Sequence, residues 1–166
     1  LLALESELET VTDPFMKKGL QMAVDGTDPD DLWEILAAEV KAKKASAATG
    51  AKFWNDAGGY APTIGIIGTV LGLVHVLENL SNPDELGHLI AGAFVATLWG
   101  VLSANVMFLP FGSRIKAVGA DEAARMELII DGVLAIQAGA NPRVVATKLK
   151  SKMTPVGPAA AVEEAA

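Results

Sequence analysis

Ala57-Gly58-Gly59-Tyr60-Ala61-Pro62-Thr63-Ile64-Gly65-Ile66-Ile67-Gly68-Thr69-Val70-Leu71-Gly72-Leu73-Val74-His75-Val76-Leu77 contains no Asp, Glu, Lys or Arg. A second such run extends from His88 to Gly112. Both pass the roughly 20 residues that a helix needs to cross a hydrocarbon layer about 30 Å thick. Between them lies a short acidic link, residues 78–87, with Glu78, Asp84, Glu85 and the helix breaker Pro83. The pattern predicts a transmembrane helical hairpin within an all-α membrane protein.

Basic residues orient it. No Lys or Arg occurs between Lys52 and Arg114, while both flanks carry several. The positive-inside rule therefore places both ends of this segment in the cytoplasm and the link outside. Trp54 and Tyr60 fall where an interfacial aromatic belt on the cytoplasmic side is expected. A soluble helical module with the hairpin as its core is the competing reading. The unbroken apolar runs, lacking a polar face, speak against it.

The expected organisation is a cytoplasmic helical domain over 1–57, spans over 58–78 and 89–112 joined by a loop over 79–88, cytoplasmic helices over 113–154 and a disordered tail over 155–166. Apolar residues Leu1, Leu4, Leu8 and Val11 recur at helical steps, so the chain reads as starting inside a helix, truncated from something longer. Asp13-Pro14 interrupts, and Phe15 to Val24 reads as a short helix. Thr27 or Asp28 suits an N-cap, with Pro29 at the first helical position. From there a long helix carries the stripe Leu32, Ile35, Leu36 and Val40. Asp121 to Gln137 repeats the pattern with Met126, Ile129, Ile130, Val133, Leu134 and Ile136. Gly139 to Pro142 ends it, and Val144 to Met153 is a short basic helix.

The 166 residues carry a net charge of −7 and no cysteine, and their mean hydropathy is +0.37. An acidic chain is a poor partner for nucleic acid, and without cysteine there is no disulfide scaffold or thiolate site. His75 and His88 flank the link without companions at metal-ligand spacing, and they read as interfacial polar residues. No nucleophile–base pair or phosphate-cradling loop is present, so neither enzyme nor cofactor is expected.

Small residues punctuate both spans: Gly65, Gly68 and Gly72 in the first, and Gly92, Ala96, Gly100 and Ala104 at four-residue steps in the second. Such spacing lets membrane helices approach closely. Two uses fit: packing within the hairpin, or an oligomer whose helices line a path. Thr69 and Thr97 lie at similar depth, within about 10 Å by helical rise. A threonine hydroxyl in a membrane helix commonly bonds its own backbone. The alternative is that the pair offers oxygen ligands to a hard cation. Neither hydroxyl carries a proton across; if ions cross here a carboxylate is needed, and neither uncharged run holds one, so the titrating group has to come from another chain. Pro62 and Pro110 either mark the membrane boundary or, for Pro62, form a hinge.

The phrases from Tyr60 to Leu73, Leu86 to Ile90, Ala93 to Gly100, Ala104-Asn105 and Leu109-Pro110 resemble the third and fourth membrane helices of the MotA family of bacterial flagellar stator subunits. Leu1 to Glu5 and Val24-Asp25-Gly26-Thr27-Asp28-Pro29 resemble that family's cytoplasmic regions. The resemblance implies that two further membrane helices are absent from this chain. It also implies a bacterial inner-membrane homo-pentamer around a MotB-like single-span partner, whose aspartate carries H+ or Na+. Torque would then pass to the switch-complex ring of the rotor. On the same ground Glu5 matches a rotor-contact glutamate, Pro62 and Pro142 match prolines tied to coupling, and Thr97 matches a pore-facing threonine. The energy-transducing TolQ/ExbB relatives share the membrane helices and remain the alternative.

Overall fold

The computed structural model describes residues 8–153. Within them the chain forms helices α1 (Pro14–Val24), α2 (Pro29–Glu78), α3 (Pro83–Ser103), α4 (Leu109–Gln137) and α5 (Pro142–Lys152), with a π turn at Ala104–Phe108 between α3 and α4. The chain divides into two compact units, residues 1–44 with 121–166, and residues 45–120.

In the first unit, Leu32, Leu36 and Val40 follow at four-residue steps along α2 and are buried. They form one core with Leu8, Phe15, Leu20 and Ala23, and with Ala123, Ile130 and Val133 of α4. Each fully buried Leu or Val contributes about 1.5–3 kcal/mol relative to exposure. Gly19 lets α1 come close: a Cβ there would lie 3.2 Å from Leu36 and 3.3 Å from Val133. Ile35, expected in the stripe, is 45% exposed instead. It sits one residue before Leu36, about 100° around the helix, and so turns away from the core.

Local chemistry sets the helix ends. Asp13 caps α1 by accepting from the amides of Phe15 and Met16 at 2.9 and 3.1 Å. Asp28, rather than Thr27, caps α2 through the amide of Asp30. Asn141 caps α5 through that of Arg143. Two helices end in the same motif. Gly26 (φ 77°) follows α1 and Gly139 (φ 68°) follows α4. In each case the next residue's amide reaches back five residues, Thr27 to the Met22 carbonyl and Ala140 to that of Ala135, both at 3.0 Å. A left-handed residue is required for that closure, and glycine adopts it without a Cβ clash.

The expected N-terminal helix does not reach Val11. Residues 8–10 form a turn, and residues 11–13 carry no regular structure. The expected loop over 79–88 is also shorter. Pro83 occupies the first helical position of α3, leaving four non-helical residues, 79–82. The expected boundary near Gly112 is no structural break, because α4 continues from Leu109 to Gln137. The tail from residue 154 and the stretch up to residue 7 lie outside the described residues.

In the second unit, α2 from Ala45 onward packs antiparallel to α3 and the start of α4. Two helical stretches here are long and apolar enough to cross a membrane, and little of either is buried. Ile64, Ile67, Leu71, Phe94, Leu98 and Trp99 are all more than half exposed. An apolar shell of this kind needs lipid or other subunits around it, and a soluble core helix would be covered. At one end Trp54 meets Phe53 and Phe111 edge-on, with ring centroids 5.5 and 5.3 Å apart.

Candidate functional site: the hairpin seam

The seam is built from missing side chains. A Cβ on Gly65 would lie 2.8 Å from the carbonyl oxygen of Ala96 and 3.2 Å from the Cα atoms of Thr97 and Gly100. One on Gly100 would lie 2.6 Å from the Ala61 carbonyl oxygen. At this crossing the two backbones touch, which only glycine permits. Gly68 faces the methyl of Ala96, and Gly72 faces Ala93. Ala104 continues the seam and is 1% exposed.

Gly92 is the exception. Nothing lies within 4 Å of a Cβ placed there, and the buried residue at that level is Ala93. Helix rotation explains the difference. Four-residue steps drift by about 40° each at 3.6 residues per turn, so Gly92 stands about 80° from Gly100. Ala93, seven residues from Gly100, is nearly in line.

The close approach brings Thr69 and Thr97 into direct hydroxyl–hydroxyl contact. Thr69 Oγ1 also lies 3.0 Å from the Ala93 carbonyl of the facing helix and 3.2 Å from the Gly65 carbonyl of its own. Thr97 Oγ1 lies 3.4 Å from the Gly65 carbonyl across the seam. Four oxygens therefore converge on one half-buried point: two hydroxyls and two carbonyls. Thr69 thus reaches a carbonyl of its own helix and one of the facing helix, whereas the backbone acceptor of Thr97 lies across the seam.

Among the described residues no cluster of three His, Asp or Glu side chains gathers. His75 stands 3.3 Å from Glu78, and both are exposed. Pro62 lies inside α2, which continues through it without a break. Pro142 starts α5 beside its cap Asn141. Glu5 lies outside the described residues. Away from the seam, Asp13 pairs with Arg125 across the first unit. The amide of Met16, then that of Phe15 and the guanidinium of Arg125, hold the Asp13 carboxyl below its ordinary pKa against a smaller cost of burial.

Sequence reasoning did not find Ala61 or Ala93, whose backbone and methyl groups complete the seam. It also missed the π turn at Ala104–Phe108, beside which the Asn105 side-chain amide donates to the Val101 carbonyl at 2.9 Å. The available signal for Ala93 was its seven-residue spacing from Gly100.

The MotA/TolQ/ExbB proton channel family matches residues 7–128. Motility protein A of Bacillus subtilis is 43% identical over 149 residues, which are 90% of this chain and 55% of that protein. Chemotaxis protein PomA of Vibrio alginolyticus is 37% identical over 150 residues, 90% of this chain and 58% of that protein. Among solved structures, C. jejuni MotAB superposes with a TM-score of 0.90 at 32% identity, covering 95% of this chain and 62% of that one. The flagellar MotAB stator complex of Bacillus subtilis gives 0.85 at 41%, covering 92% and 60%. The chain thus spans 55 to 62% of the length of these relatives.

Proposed function

Because the chain belongs to the MotA/TolQ/ExbB proton channel family, we propose that the protein is a flagellar stator subunit, coupling ion flow across the membrane to torque on the rotor. The seam carries the reading. A membrane hairpin with two apposed hydroxyls and no carboxylate in either uncharged run furnishes walls and polar contacts for an ion, and leaves charge transfer to a companion. The companion in this reading is a MotB-like single-span subunit with a membrane aspartate. A homo-pentamer surrounds it in the inner membrane, with both ends of this segment cytoplasmic. Rotor contact falls to the Glu5 region, with Pro62 and Pro142 transmitting the change. The work comes from the ion gradient, so no nucleotide or bound cofactor is required.

Motility rather than outer-membrane energy transduction is favoured by the similarity to Motility protein A and PomA. Deleting the gene tests it. Lost swimming with intact flagella and normal uptake supports the motor, and the reverse pattern sinks it. Co-purification in detergent tests the companion directly; ion conduction by this subunit reconstituted alone would refute the division of labour. A finer proposal concerns the ion. Two hydroxyls and two carbonyls suit sodium better than a site with alanine at position 69, which offers no side-chain ligand. Unchanged swimming when potassium replaces all external sodium would overturn it.

A further inference from the structure

We infer that the π turn at Ala104–Phe108 is a register-keeping element, absorbing one surplus residue so that the upper and lower halves of the hairpin seam face the same helix. The inference does not depend on what the protein does.

The two ends of the seam are defined by close approaches. A Cβ on Gly72 would press on Ala93 at one end, and a Cβ on Gly119 would press on Ala47 at the other. Along α2, Gly72 lies 25 residues after Ala47; along the facing helix, Gly119 lies 26 residues after Ala93. At about 100° per residue, 25 residues fall about 20° short of seven whole turns, so Ala47 and Gly72 share a face on a regular helix. Twenty-six residues overshoot by about 80°, which would swing Gly119 to the flank. A π turn closes its hydrogen bond one residue later than an α turn and so holds one residue more. The amide of Leu109 bonds the carbonyl of Ala104, five residues back. Discounting that residue returns the facing helix to 25, in phase with α2.

Burial follows this arithmetic. Ala104 at the start of the bulge and Gly112 and Gly119 after it are buried, whereas Asn105, Val106 and Met107 at its centre are exposed. The Asn105 side-chain amide bonds the Val101 carbonyl in the same stretch. Pro110, just beyond, is an insufficient cause by itself. Pro62 stands inside α2 without provoking any such turn.

These 166 residues hold no cysteine, and any cysteine in the rest of the protein is first replaced by serine. In the full-length protein in its native membrane, an upper pair (Gly72→Cys with Ala93→Cys) and a lower pair (Ala47→Cys with Gly119→Cys) are cross-linked by mild oxidation. Disulfides report the register because Cβ atoms must come within about 3.5–4.5 Å, a separation that a slight parting of the helices gives at both pairs and that a shift in phase does not. Deleting Asn105, or separately Val106, is expected to leave both cross-links at parental yield, because the segment becomes regular α-helix with its phase preserved. Inserting one alanine between Asn105 and Val106 is expected to abolish the lower cross-link and spare the upper. Loss of the lower cross-link in both deletion variants, with or without the upper, overturns the inference. So does its survival in the insertion variant.

Discussion

Replacing Gly100 by alanine separates two effects that usually travel together. The new Cβ would sit 2.6 Å from the Ala61 carbonyl oxygen, where ordinary contact begins at 3.4 Å. Both obstructing groups, the Ala61 carbonyl and the Gly65 Cα at 3.0 Å, are backbone, so no rotamer change relieves the clash. The helices must part by about 0.8 Å at their crossing, and a gap of about 0.5–1 Å forfeits a quarter to a half of each dispersion contact. Overpacking of this kind costs about 1–3 kcal/mol. Alanine also gains about 0.8–1 kcal/mol over glycine in helix propensity, which confuses any single measurement. Gly92→Ala in the same helix supplies the reference, since nothing lies within 4 Å of its Cβ. Propensity cancels between the two variants, and the difference isolates the clash. Reversible unfolding in mixed micelles should find Gly100→Ala less stable than Gly92→Ala by about 1–3 kcal/mol. Equal stabilities would refute the claim that backbones touch at Gly100.

Further outcomes follow from other contacts. Thr69→Val should weaken the hairpin by about 0.6–2 kcal/mol, the range for interhelical hydrogen bonds in membranes, and Thr69→Ser should restore most of it in the same unfolding assay. Asp13→Ala removes the cap of α1 and should lower stability at pH 7 by about 0.5–2 kcal/mol, read by denaturant unfolding. Since the folded Asp13 carboxyl is held below its ordinary value, its contribution is present above that ordinary value and drains as pH falls through the lowered one. The wild type and Asp13→Ala should therefore converge in acid, and a constant gap down to the lowest pH would count against the cap. Gly139→Ala forces alanine into the left-handed region and should cost about 1–2 kcal/mol, with fraying at the end of α4 visible by amide exchange.

Much of this architecture was legible before any coordinates. The two uncharged runs, the cap at Asp28 ahead of Pro29 and the helix end at Gly139 each follow from a rule acting over a few residues. The seam was half legible. Glycines 65, 68, 72 and 100 were found, but counting in strict fours selected Gly92, and a helix of 3.6 residues per turn instead presents Ala93. Thr69 and Thr97 were placed at similar depth, yet contact between them depends on how closely two backbones approach, which is a property of the pair. The π turn was invisible for a related reason. Ala104 to Phe108 has unremarkable composition, and the surplus residue appears only when one helix is counted against its neighbour. The short link and the continuation past Gly112 were missed because membrane boundaries and helix boundaries are different things.

The hydroxyl pair in the seam has a consequence for where its two protons can sit. Two threonines bring two hydroxyl protons, and two carbonyls besides the hydroxyl oxygens themselves can accept them. With one proton shared between the oxygens, the arrangement is neutral and closed. Turn the Thr69 proton to the Ala93 carbonyl and the Thr97 proton to that of Gly65, and the two oxygens face each other with lone pairs alone, a repulsive arrangement that favours the shared proton. The two conditions differ by torsions about two C–O bonds. Close packing of the seam thus dictates the orientation of its hydroxyl hydrogens as well as the positions of its heavier atoms.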